Sequence, residues 1–166
     1  MARRRYSAFH SIVQKMASSS IGSWFFSHTL HHLDRFVYYV SRGRTSMTSL
    51  LSGAPLVMVT TTGARSGLTR TLPLLCIREH KTAESFALIA SNWGQDHHPA
   101  WYFNLRANPR AMCSIGGVAR EYVAQEAAGE EYALCWQCAM DTYIGFPTYQ
   151  KRAGERHIPI LVMTPQ

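Results

Sequence analysis

The chain has 166 residues, 46% of them hydrophobic and 16% charged, the balance of a globular chain with a core of its own rather than of a disordered or fibrous one. Its formal net charge of +7 favours anionic partners, but beyond Arg3, Arg4 and Arg5 the cations are scattered and form no dense stripe of the kind that binds nucleic acid, so a phosphorylated small molecule is expected and nucleic acid is not. No run of about 20 apolar residues is present to span a bilayer, Ser18, Ser19, Ser20, Gly22 and Ser23 interrupt any signal-peptide core, and four cysteines in a domain of this size do not read as a disulfide framework; a cytoplasmic chain is expected.

Residues 1–20 are polar, basic and serine-rich, a loosely ordered or weakly helical lead-in to a single domain over 21–166. Phe26, Leu30, Leu33, Val37 and Val40 recur at spacings of four and three, which lines them along one face of a helix that Gly43 stops. Such a helix either covers a sheet or, being basic and aromatic, touches a membrane surface. A short helix over 46–51 ends at Gly53 and Pro55. The period then shortens. Residues 56–62 are apolar and β-branched, a buried strand. Gly63-Ala64-Arg65-Ser66-Gly67 turns the chain, and 69–77 form a second strand whose Pro73 implies an edge or a bulge. Residues 86–90 make a third strand, and 99–107 a helix closed by Asn108 and Pro109. Strands at 112–115 and 118–124 flank Gly116-Gly117, a two-residue hairpin signal. Glu130 and Glu131 open a helix that runs to Met140, since acidic side chains suit the positive end of its dipole. A shorter helix covers 143–152, and 158–163 closes the chain as a strand. Strands with an antiparallel hairpin and interspersed helices predict a small α+β barrel rather than a doubly wound sheet.

Two segments carry donors for a ligand. In the turn at 63–67, two glycines let backbone N–H groups face outward, Ser66 adds a hydroxyl, and Arg65 with Arg70 supplies guanidinium forks for phosphate or carboxylate. The same residues also describe a solvated hairpin turn with two surface arginines. The serine stands fourth in the turn, so it is neither a nucleophile elbow nor a Walker loop. The second segment, Ala90-Ser91-Asn92-Trp93-Gly94, ends a strand in small polar residues ahead of the helix that starts at Pro99. A strand end followed by a helix N-terminus can hold an anionic or planar ligand; core packing is the other reading of Trp101 and Leu105.

Taken in order, these segments resemble the deazaflavin-dependent nitroreductase family. The similarity is carried by Thr60-Thr61-Thr62-Gly63-Ala64-Arg65-Ser66-Gly67 with Arg70 and Pro73-Leu74, by Ala90-Ser91-Asn92-Trp93-Gly94, by Pro99-x-Trp101-Tyr102-x-Asn104-Leu105-x-Ala107-Asn108-Pro109, and by Tyr143-x-x-Phe146-x-x-Tyr149-Gln150 ahead of Ile158-Pro159. The resemblance implies a split β-barrel of the flavin-reductase-like, FMN-binding-like type with surrounding helices. It implies an oxidoreductase that passes a hydride from reduced 8-hydroxy-5-deazaflavin (coenzyme F-420) to a quinone, an activated alkene or a nitroaromatic, with a separate dehydrogenase to re-reduce the coenzyme. An FMN-dependent reductase of the same fold, or a non-catalytic barrel binding a lipid or fatty acid, are the alternatives.

By the same resemblance Arg65, Ser66 and Arg70 meet the coenzyme's phosphate and acidic tail, with Gly67, Thr71 and Pro73 alongside them. Ala90, Ser91 and Asn92 lie beside the deazaflavin, and Ala100, Trp101, Tyr102 and Phe146 complete the binding set, Trp101 near the ring. Tyr143 and Tyr149 are the expected acceptor contacts or proton donors. Two positions depart from the pattern: Phe146 stands where some relatives carry a third tyrosine, and Asn92 where some carry a lysine. A phenylalanine has no proton to offer, which separates nitro reduction from hydride transfer as such.

The remaining motifs have plainer readings. Cys135-x-x-Cys138 has redox-motif spacing but falls in mid-helix, where buried structural cysteines are expected. His28, His31 and His32 share a helical turn without a carboxylate or cysteine partner, so no metal is expected. His97 and His98 are placed in a loop at the mouth of the site.

Overall fold

The computed structural model describes residue 37, residues 54–77 and residues 84–166. The described strands are β1 (Leu56–Thr62), β2 (Thr69–Leu75), β3 (Phe86–Ile89), β4 (Arg110–Ile115), β5 (Val118–Glu126) and β6 (Ile160–Pro165), with helices α1 (Ala100–Ala107), α2 (Gly129–Thr142) and α3 (Phe146–Ala153). The strands form one antiparallel sheet in the order β2-β1-β4-β5-β6-β3. The sheet curls until its ends meet: Ile77 and Ala87 exchange both backbone hydrogen bonds, at 3.0 and 2.8 Å. The result is a split β-barrel. Pro73 sits on β2, at the end of the strand order, where a residue with no N–H is tolerated.

Expected and observed elements differ mainly at their ends, each for a local reason. β2 stops at Leu75 because the next pair in register, Cys76 opposite Pro55, is bonded one way only (Cys76 N–H to Pro55 O, 2.8 Å), proline having no N–H to return, and Ile77 pairs with Ala87 instead of β1. β5 runs on to Glu126 because its second half pairs with β6 from Tyr122↔Pro165 to Glu126↔Leu161. Tyr143 is extended (φ −146°, ψ 122°) as the C-cap of α2, so α3 begins only at Phe146. The β4–β5 hairpin turns on Gly116 and Gly117, whose φ values of 60° and 87° are both left-handed, with Ile115 opposite Val118. The predicted helices over 23–43 and 46–51 lie outside the described residues, apart from Val37, which is helical. His28, His31 and His32 lie outside them as well. Among the described residues no helix is long and apolar enough to cross a membrane.

β3 is buried at all four positions, and its period of two divides them between two cores. Phe86 and Leu88 join Val57, Val59, Trp101, Leu105, Tyr122 and Met163 in one. Ala87 and Ile89 join Ile160, Cys135, Trp136, Tyr143, Phe146 and Tyr149 in the other. α1 therefore packs with the first core, and α2 and α3 with the second. A fully buried side chain such as Phe86 or Phe146 contributes about 1.5–3 kcal/mol. All four cysteines are buried. Cys135 and Cys138 lie within α2 as expected, and burial pushes the Cys113 thiol up to about 12, far from a reactive thiolate.

Candidate functional site

The arginine turn connects β1 to β2. It is closed by Gly63 N to Leu68 O and Gly67 N to Gly63 O, both 2.8 Å. The Leu68 amide donates to Ser66 Oγ at 3.3 Å, leaving the Ser66 O–H free to donate. Residues 64–71 are exposed. Among the described residues neither the Arg65 nor the Arg70 guanidinium has a hydrogen-bond or ion-pair partner. Arg70 stands across the ladder from Thr61, and Thr71 across from Thr60, with their hydroxyl oxygens 2.8 Å apart. Pro73 is half-buried opposite Met58.

One buried side chain ties this turn to the rest of the molecule. Asn104, on α1, accepts from the Ala64 amide through Oδ1 (3.0 Å) and donates through Nδ2 to Thr61 Oγ1 (3.0 Å). Both ends of the amide are therefore satisfied, and the side chain cannot rotate without losing both bonds. α1 in turn follows directly from the second segment, with Pro99 as its N-cap.

That second segment contains an element not anticipated from the sequence. Asn92–Gly94 form a 3-10 turn in which Asn92, Trp93 and Gly94 all have positive φ, at 48°, 58° and 75°. Asparagine tolerates this conformation; for tryptophan it costs about 1–3 kcal/mol and persists only where surroundings impose it. Here α3 imposes it. A Cβ on Gly94 would lie 2.7 Å from the Tyr149 carbonyl oxygen and 2.9 Å from Arg152 Cβ, so only glycine fits. Arg152 Nη1 donates to the Trp93 carbonyl at 3.1 Å, and the Trp93 ring meets Tyr149 edge-on at 5.8 Å. Asn92 Nδ2 donates to the His97 carbonyl at 3.0 Å. Ala90 and Ser91 are buried, with the Ala90 amide bonded to the Pro159 carbonyl at 2.9 Å.

The late aromatic residues meet one another inside the second core. Tyr143, Phe146 and Tyr149 are 5%, 2% and 3% exposed. Phe146 packs edge-on to both tyrosines, and the two hydroxyls are 3.1 Å apart. Burial pushes the Tyr143 phenol above its ordinary range, with the Tyr149 hydroxyl opposing in part, so it keeps its proton at neutral pH. On α1, Trp101 is buried in the first core and Ala100 is exposed. Tyr102 donates to Glu126 Oε2 at 3.0 Å, and burial together with that carboxylate raises its pKa. His98 Nδ1 lies 3.0 Å from Arg156 Nη1 and its ring 5.1 Å from Tyr102; burial and then the neighbouring Arg156 charge lower its pKa. His97 is exposed and pairs with Asp96 at 2.8 Å.

The fold thus links three segments in series: the arginine turn to α1 through Asn104, α1 to the 92–94 turn through the short 95–99 connection, and that turn to α3 through Gly94, Arg152 and Tyr149. Sequence reasoning passed over the linking roles of Thr61, Asn104, Arg152 and Arg156. Thr61 and Asn104 left a signal there only as members of the family motifs; the arginines bind backbone carbonyls, which carry no sequence signature.

Comparison with known proteins bears on the same region. The family model described as F420H(2)-dependent quinone reductase matches residues 34–165. An F420H(2)-dependent quinone reductase of Mycobacterium tuberculosis is 30% identical over 153 residues, 87% of this chain and 97% of the relative. Among solved structures, an F420-H2-dependent reductase is 36% identical with a TM-score of 0.60, over 66% of this chain and 94% of that one. A protein described as a domain-swapped dimer is 29% identical with a TM-score of 0.62, over 87% of this chain and all of that one.

Proposed function

Since the chain belongs to the F420H(2)-dependent quinone reductase family, we propose that the three linked segments form its coenzyme and acceptor site. The activity is that of an oxidoreductase using reduced coenzyme F420 on quinone-type acceptors. When bound, the deazaflavin supplies the hydride; the protein's part is to bind, orient and keep water out.

The arginine turn fits a phosphate and an acidic tail. Arg65 and Arg70 are exposed and have no described partner to give up, and the Ser66 O–H is available between them. Each charge-assisted bond they form with an anion is worth about 1.5–3 kcal/mol. In this reading Gly67, Thr71 and Pro73 flank the tail, Ala90, Ser91 and Asn92 face the deazaflavin, and Ala100, Trp101, Tyr102 and Phe146 complete its surroundings. The single observation that carries the proposal is α1: one eight-residue helix holds the arginine turn by Asn104 and continues the chain from the 90–94 segment. Tail-binding and ring-binding residues are thereby held at a set separation, as hydride transfer requires.

Tyr143 and Tyr149 are assigned as acceptor contacts or proton donors. The support is that both hydroxyls face each other and that Tyr143 stays a phenol at neutral pH. Water is the alternative proton source for a reduced quinone. Activated alkenes and nitroaromatics are proposed as further acceptors, and a separate dehydrogenase as the source of reduced coenzyme. Quinones are apolar, and the basic, aromatic segment at 23–43 suits peripheral contact with a membrane that holds them.

The test is direct. Purified protein given reduced deazaflavin and a naphthoquinone should oxidise the coenzyme at a rate that depends on the quinone. Protein that takes up FMN or a colourless lipid, and binds no deazaflavin, would sink the proposal.

A further inference from the structure

Arg156 lies beyond α3 and commits its whole guanidinium to one stretch of chain. Nε donates to the Gln95 carbonyl at 2.8 Å, and Nη2 to the Ser91 carbonyl at 2.6 Å. Nη1 reaches the Ala90 carbonyl at 3.4 Å and His98 Nδ1 at 3.0 Å, with a long contact to the His157 carbonyl at 3.5 Å. We infer that Arg156 is a positioning residue for the coenzyme: its fork fixes the backbone between Ala90 and Gln95, the stretch that faces the deazaflavin. The inference rests on the coenzyme reading above.

The chemistry favours this role over a direct one. Three carbonyl oxygens converge from one loop, and like dipoles are held together only by a donor that carries several N–H groups in a fixed plane. A lysine ammonium is a point donor and cannot span the positions of Nε and both Nη atoms. The grip also brackets the strained turn, since Ser91 and Gln95 flank Asn92, Trp93 and Gly94. α3 presses on the turn from one side through Gly94, and Arg156 holds its two ends.

His98 completes the arrangement. It faces a group that can only donate, so its Nδ1 accepts and its proton sits on Nε2. Arg156, the neighbouring His157 and Arg106 disfavour a proton on it, and Glu126 opposes them. Asp96 and His97 occupy the same loop, paired to each other. A proton on Nδ1 would set a second cation against Arg156 and loosen the grip.

The experiment uses the full chain with Arg156→Lys, measuring deazaflavin affinity by fluorescence quenching and amide exchange across 90–98. Affinity is expected to fall about tenfold or more, with faster exchange in 90–98 and unchanged exchange in β1 and β4. Affinity within about twofold of wild type overturns the inference, whatever the exchange does. Weaker binding with unchanged exchange overturns it too, because Arg156 would then be touching the coenzyme directly rather than holding the loop. If the variant does not fold, the wild type still decides. Its affinity should fall with acid in step with the His98 ring titration followed by NMR, with a midpoint below the ordinary value of 6.5. Affinity that stays flat through that titration overturns the inference. Arg65→Ala with Arg70→Ala separates the two readings: if that pair binds coenzyme like wild type, the coenzyme site itself is misassigned. If the pair weakens binding and Arg156→Lys does not, only the positioning role fails.

Discussion

Arg65, on a turn that Asn104 anchors to α1, and Arg70, at the start of β2 just beyond it, stand in solvent, while Tyr143, Phe146 and Tyr149 sit inside a core with the two tyrosine hydroxyls turned toward each other. Both regions carry polar groups that could meet a ligand, but their free states differ. In the proposed site the arginines would trade water for an anion, so their contribution is expected on binding and hardly at all on folding. The aromatic cluster has already traded water for protein, so a change there is felt first as stability. Asn104 belongs to both descriptions, being buried itself and bonded to the exposed turn.

Four substitutions or deletions sharpen or break this contrast. Phe146→Ala removes a ring packed against Tyr143, Tyr149 and Trp136 and is expected to cost about 3–5 kcal/mol of stability, read as a shifted denaturation midpoint with an unchanged slope. A loss below about 1 kcal/mol would mean the cluster is not a core. Arg65→Ala combined with Arg70→Ala is expected to weaken deazaflavin binding by about 2–4 kcal/mol while leaving the melting temperature where it was. A fall in melting temperature comparable to that of Phe146→Ala would erase the distinction between the two regions. Asn104→Ala should do some of each. It orphans the buried Thr61 hydroxyl, costing about 1–2 kcal/mol, and frees the arginine turn, so coenzyme affinity drops as well. Unchanged affinity with lowered stability would show that the turn does not need its anchor. Deleting residues 1–20 is expected to change neither stability nor coenzyme affinity; a large drop in melting temperature would show that the segment packs against the rest of the chain.

Much of the fold was legible because it is written in local chemistry. The apolar, β-branched run of β1, the Gly116-Gly117 turn, Pro73 on the edge and the acidic start of α2 each depend on near neighbours in the chain. The turn at 63–67 was legible for the same reason, from its two glycines. Strand ends were less legible, since β2 stops where Cys76 finds Pro55, and β5 extends because β6 lies beside it. The left-handed conformation of Trp93 was not legible at all, because nothing in its neighbours demands it; the packing of α3 against Gly94 does.

The sequence alone determined the class of fold, the order of its segments and the residue types that answer to an anionic, planar coenzyme. The tertiary structure alone decided which of those residues are already engaged: that Arg65 and Arg70 have no side-chain partner among the described residues, that Tyr143 and Tyr149 are bonded to each other, and that Arg156 grips a loop. The physical reason is plainest at Arg156. Its partners are main-chain carbonyls 61 and 65 residues earlier, and a carbonyl oxygen is the same on every residue, so no residue type along the chain can announce that contact.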